Sequence, residues 1–199
     1  MTQNTTKRSR TVALVILGAA AFALAGCGEE DVDASAFPDL ASCKAAANAG
    51  GAISSTDCDT AFTAAQELQA ETAPRYDSLE VCEAQHGVGS CGDETQVTGT
   101  TGSSGIFMPL LAGYLIGNML SRGASAAPVV QPLYKTPDGR FTNATGSSTY
   151  ASNTGTGKLA ASQFTKAPAT VGKAPMTKAT VAARGGFGGA TTGRTSTGG

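Results

Sequence analysis

Five cysteines carry most of the chemistry open to this 199-residue sequence. Cys27 ends Leu24-Ala25-Gly26-Cys27, directly after an apolar run over residues 12–25 that Lys7, Arg8 and Arg10 precede. A basic stretch followed by a short apolar run is the pattern of a secretory signal. Arg8-Ser9-Arg10 is not a twin arginine, so general secretion is expected. The ending resembles the bacterial lipobox, where a Cys thiolate takes a diacylglyceryl group and small residues before it admit the peptidase. Two acyl chains suffice for stable anchoring, at ~0.8 kcal/mol per buried methylene. Cys27 is therefore the predicted lipidation site, carrying palmitate-like chains. Gly28 stands where Asp would resemble an inner-membrane retention signal, so the expected address is the outer membrane, facing the periplasm.

Cys43, Cys58, Cys82 and Cys91 are predicted to form disulfides. None lies in the close Cys-x2–4-Cys pair typical of zinc sites, and an exported chain meets an oxidising compartment. Four cysteines allow three pairings. Cys43–Cys58 with Cys82–Cys91 is favoured because each pair closes its own short loop. His86 is the only histidine. Beside Gly87, at a predicted helix C-terminus, it reads as structural, a position where the helix dipole favours imidazolium. Glu80 and Glu83 read as a solvated helix face. No catalytic residue, metal site or cofactor motif is predicted, and the chain is not expected to be an enzyme.

These residues need elements to position them. Asp39 can cap a helix from 40 to 48, which Gly50 and Gly51 stop. Thr56 and Asp59 form a capping pair for a helix over 58–71, whose stripe is Cys58, Phe62, Ala65 and Leu68. Asp77 and Glu80 open another over 78–85, with Gly87 after its end. Leu40-x-x-Cys43 and Leu79-x-x-Cys82 echo each other near two of these helix starts. The apolar run over 106–120 is too short to span a bilayer. It reads as one more helix, with Pro109 in its first turn and Gly113 and Gly117 as a close-approach ridge. Its expected roles are buried core, membrane contact or self-association, through Met108, Leu111, Gly113, Tyr114, Gly117 and Leu120. Residues 128–134 read as extended, and Thr136-Pro137-Asp138-Gly139 as the turn of a small hairpin.

Composition divides the chain further. Charged residues are 15%, aromatics 6%, Trp is absent and the net charge is −1. Those values exclude a strongly basic nucleic-acid binder, a multi-span membrane protein and a large enzyme. The expected organisation is a signal peptide over 1–26, an acidic tether over 27–38 and a four-cysteine helical region over 39–98. An apolar helix with a short hairpin follows over 99–141. A cationic tail rich in Gly, Ser, Thr and Ala over 142–199 has too little apolar surface to offset backbone ordering and is expected to be disordered. The fold class expected is mainly α: a small disulfide-stapled helical region, one apolar helix and a long tail.

The order of features is similar to one known family. The lipobox ending in Cys27 leads into Ala61-Phe62, Ala73-Pro74-Arg75-Tyr76 and Gly87-x-Gly89-x-Cys91. Then come Ser104-Gly105-Ile106-Phe107-Met108-Pro109-Leu110-Leu111-Ala112-Gly113-Tyr114, Gln131-Pro132-Leu133-Tyr134 and Arg184-Gly185-Gly186-Phe187-Gly188. Together these resemble the YgiB-like family of bacterial proteins of uncharacterised function. The resemblance implies no catalytic residue. The functional expectation is a lipid-anchored envelope protein with a structural or accessory role. Its alternative is an adaptor that presents the 106–120 helix to a membrane or an enzyme partner. The membrane and a protein partner or second copy are the expected contacts, with no nucleic acid.

Overall fold

The computed structural model describes residues 31–99, 105–118 and 129–185. The expected signal peptide over 1–26, Cys27, Leu120 and residues 186–199 lie outside the described residues.

The elements run β1 (Asp31–Phe37), α1 (Leu40–Asn48), α2 (Ser55–Thr72), α3 (Leu79–His86), β2 (Cys91–Asp93), α4 (Glu94–Thr98), β3 (Phe107–Pro109) and β4 (Gly113–Asn118). After them come β5 (Val129–Lys135), β6 (Phe141–Thr142), β7 (Thr149–Tyr150), β8 (Gly155–Ala160), a 3-10 turn (Ala161–Phe164) and α5 (Lys178–Arg184). Six strands form one antiparallel sheet in the order β7-β6-β5-β4-β1-β8, and β2 and β3 form a separate ribbon. The protein is therefore α+β, not mainly α.

Three local expectations change with this sheet. Residues 31–37 are not tether. They form the strand between β4 and β8, paired from Asp31↔Ala160 to Ala36↔Gly155 on one side and from Asp33↔Asn118 to Phe37↔Tyr114 on the other. The described part of the 106–120 run is not a helix but holds the strands β3 and β4. The described part of the 142–199 segment is not disordered: it supplies the end of β6, then β7, β8 and α5.

Burial on both faces explains the apolar run. Tyr114 and Ile116 face α1 and α2, packing with Val130, Cys43, Cys58, Ala61 and Ala65. Leu115 faces the other way, into Val32, Ala34, Ala36, Leu133 and Phe164. A strand covered on both sides loses the apolar–polar alternation that marks a half-exposed one. The two glycines serve this sheet. Gly113 has φ +148°, and a Cβ there would lie 2.8 Å from the Phe37 carbonyl oxygen. A Cβ on Gly117 would lie 2.7 Å from Val129 Cγ2 and 2.9 Å from Phe164 Cζ. The missing side chain at 117 is thus the space that the Phe164 ring fills.

The helices follow their local signals. Asp39 Oδ1 accepts from Ser42 N at 2.7 Å, capping α1. Ser54 and Asp57 form the capping box of α2, so the helix starts earlier than a Thr56–Asp59 pair would place it. Ser78, one residue past Asp77, caps α3.

Gly117→Val should destabilise the protein by about 1–3 kcal/mol through overpacking, read as a lowered midpoint in urea. Combined with Phe164→Leu, the loss should be smaller than the sum of the two single losses, because the second change vacates the contested space.

Candidate functional site

Cys43–Cys58 joins α1 to α2, and Cys82–Cys91 joins α3 to β2, with Cα–Cα distances of 5.8 and 6.2 Å. All four cysteines that follow Cys27 are thereby paired in the sequential pattern. Cys43, Cys58 and Cys82 are fully buried, so all three serve as core as well as staple. Among the described residues no group of His, Cys, Asp or Glu could hold a metal ion.

Among the described residues, the remaining sequence-derived contacts serve the interior. Met108 and Tyr114 have no exposed surface, Leu111 is half-buried, and Gly113 and Gly117 are close-approach points in the sheet. Tyr114 packs between Phe37 and Phe62, with ring centroids at 6.1 and 5.7 Å. These residues hold the sheet to the helices. Among the described residues no helix is long and apolar enough to cross a membrane.

The polar centre of the molecule is Arg75, 5% exposed. Pro74 cannot continue α2 and holds Ala73 extended, with ψ 142°. The chain leaves the helix there, and the Arg75 guanidinium turns back onto its open carbonyls. Nη2 donates to Ala70 O at 2.7 Å, Nε donates to Glu94 Oε1 at 2.9 Å, and Nη1 donates to Thr170 Oγ1. A cation at the C-terminal end of α2 and a carboxylate in the first turn of α4 both suit the helix dipoles. Thr170 Oγ1 in turn donates to Ala73 O at 2.7 Å, and Thr170 N to Glu71 O at 2.9 Å. The backbone around Arg75 is equally committed. Met176 N donates to Arg75 O at 2.7 Å, and Tyr76 exchanges 2.9 Å bonds with Phe107 in both directions.

His86 lies beside this hub with no exposed surface. Its Nδ1–H donates to Lys135 O at 2.8 Å, which leaves Nε2 to accept from the Tyr76 hydroxyl at 2.8 Å. Burial lowers its pKa to about 4, against a smaller opposing push from the Lys135 carbonyl. The imidazolium expected at a helix end is therefore a neutral imidazole, because desolvation outweighs the dipole. Burial also raises the phenols of Tyr76 and Tyr134, and pushes Tyr114 up to about 12. The cluster holds neutral rings that tie α3 to β5. It offers no ionised base to solvent.

One cleft opens against this hub. It holds about 450 Å³ between the end of α2, the turn after β6 and residues 167–184. Pins at Thr170 and Met176 hold the intervening loop over Pro74. Met176, Val181 and Ala174 give it apolar wall, and Arg75, Lys173 and Arg184 are its charged residues.

A family model described as "Protein of unknown function (DUF1190)" matches residues 31–198. The chain belongs to this family, the YgiB-like proteins. No solved structure matches it. The matched region begins at β1 and includes the Ala73-Pro74-Arg75-Tyr76 segment. In this YgiB-like protein that segment is the hub to which α2, β3, α4 and the C-terminal segment are fastened. Sequence reading gave Arg75 no role, since its partners are up to 95 positions away. Lys173 read only as scattered tail charge, and Arg184 as tail charge within the Arg184-Gly185-Gly186-Phe187-Gly188 segment of the resemblance.

Arg75→Met should cost about 3–5 kcal/mol, because it strips a cation from the buried pair with Glu94 and leaves carbonyls unsatisfied. Equilibrium unfolding in urea measures it. His86 gives a pH signature. Its folded pKa lies below the unfolded value of about 6.5, so its contribution is complete above pH 6.5 and declines as pH falls towards about 4. The span is roughly 3 kcal/mol at 1.36 kcal/mol per unit. His86→Gln should flatten the fall in melting temperature across that window.

Proposed function

We propose that this chain is a lipid-anchored protein of the bacterial cell envelope, held by acylated Cys27 in the outer membrane and facing the periplasm. Its role is structural or accessory, without catalysis. The observation that supports this most is the partition of the cysteines. Cys43, Cys58, Cys82 and Cys91 pair internally, so the one left over is the Cys that ends the lipobox-like Leu24-Ala25-Gly26-Cys27. An odd count that would otherwise imply an exposed thiol or an intermolecular bridge is accounted for by a thioether to lipid.

Disulfides in this region also fit an exported chain. In the chain-entropy model a 15-residue loop such as that of Cys43–Cys58 contributes about 3 kcal/mol. The non-catalytic part of the proposal rests on the state of the buried groups: His86 and the tyrosines beside it are neutral, and the hydroxyl–imidazole pair there, Tyr76 with His86 Nε2 at 2.8 Å, has no exposed surface.

Palmitate labelling of cells tests the anchor. The protein should incorporate label and fractionate with the outer membrane, and Cys27→Ser should lose the label and keep its signal peptide. Unreduced mature protein, unfolded in iodoacetamide, should gain no adduct by mass spectrometry. A single adduct, or undiminished label in the variant, would place the lipid elsewhere or nowhere.

A further inference from the structure

We infer that the cleft beside Arg75 is a binding site for a phosphomonoester-like oxyanion carried on an apolar body. The inference stands on the cleft itself and does not depend on the lipid anchor.

Its volume, about 450 Å³, lies within the range of small-molecule sites, roughly 300–1,000 Å³. Among the described residues its charge has one sign: Arg75, Lys173 and Arg184 line it, and no Asp or Glu does. Two carboxylates near the hub are already committed, and Asp77, whose backbone N donates to Met176 O at 3.1 Å, lies beside the cleft without lining it. Glu94 is paired with Arg75 at 2.9 Å and Glu71 with Lys166 at 2.7 Å. Lys173 and Arg184 make no ion pair among the described residues. Arg184 Nη1 donates to Met176 Sδ at 3.4 Å, which holds the guanidinium against another lining residue of the cleft. Two cations without an ion pair among the described residues match the charge of about −1.5 to −2 of a phosphomonoester. The walls argue for more than a free ion, because Met176, Val181, Ala174 and Pro168 line the same cleft as those cations.

The floor is rigid and the roof is fastened. Thr170 and Met176 are bonded to the backbone at Glu71 and Arg75, and Val181 is buried against Tyr76 and Cys82. The site is thus formed before a ligand arrives. Lys173 and Arg184 are both exposed, so their removal should leave the fold intact.

Isothermal titration calorimetry on the full mature protein in neutral detergent tests this with hexyl phosphate, inorganic phosphate and hexanol. Hexyl phosphate should bind saturably and weaken with salt, and hexanol should not bind. Lys173→Ala combined with Arg184→Ala should lower the affinity about tenfold or more, with an unchanged melting temperature. Lys44→Ala, at a paired cation on α1, should change nothing. Tighter binding of hexyl phosphate than of phosphate assigns a lipid-like phosphomonoester. Equal binding of the two shows that the apolar wall takes no part, which overturns the inference as stated. No saturable binding of either probe, or binding undiminished in the double variant, overturns it as well.

Discussion

The structure depends on keeping one buried guanidinium fully bonded. A charge in a protein interior is tolerated only when a counter-charge and hydrogen bonds replace the water it has lost. Arg75 finds that replacement in a helix end, in a carboxylate from α4 and in a hydroxyl from the C-terminal segment. Each partner comes from a different part of the chain. Satisfying one side chain therefore fixes where α2 stops, where α4 sits and where residues 170–176 must lie. The ion pair need not add net stability over an apolar substitute to have this effect. What it supplies is a unique arrangement, since any other leaves a buried charge or carbonyl without a partner.

The second constraint is lack of bulk. Val32, Ala34, Ala36 and Gly117 make one sheet face from small side chains, and Phe164, carried by the 3-10 turn after β8, fills the space over them. On the opposite face Tyr114 and Tyr134 are large, and the helices rest on them. The Cys43–Cys58 bridge sits inside that second core, so the covalent staple and the apolar packing act at one place. Region 40–98 does not stand alone as a helical domain: its cores include β4 and β5 from later in the chain.

Helix-forming residues declare themselves locally, and α1, α2 and α3 were readable from caps, glycine stops and apolar spacing. The cysteine pairing was readable too, because short loops favour sequential closure. The strands were not. The 106–120 run carries equal apolar weight on both faces of β4, so its periodicity matches a helix as well as a buried strand. The segment after 142 has few large side chains, and judged by itself it should not order. It orders because Thr, Gly and Ala residues can pair along β1 while Tyr150, Leu159, Phe164 and Val181 anchor it at intervals. Many of those gains come from distant partners, more than a hundred residues away along β1, which no local pattern reports. For the same reason Arg75 and the cleft beside it were invisible in the sequence, although Ala73-Pro74-Arg75-Tyr76 belongs to the family's pattern.

The account therefore holds that residues 165–177, poor in bulk as they are, belong to the folded body through Arg75. Hydrogen exchange on the full chain tests this most directly. The amides of Thr170 and Met176, bonded to Glu71 O and Arg75 O, should be protected to the same degree as those of Tyr76 and Phe107. Exchange of residues 165–177 at the rate of an unstructured peptide, with β1 and β4 still protected, would contradict it.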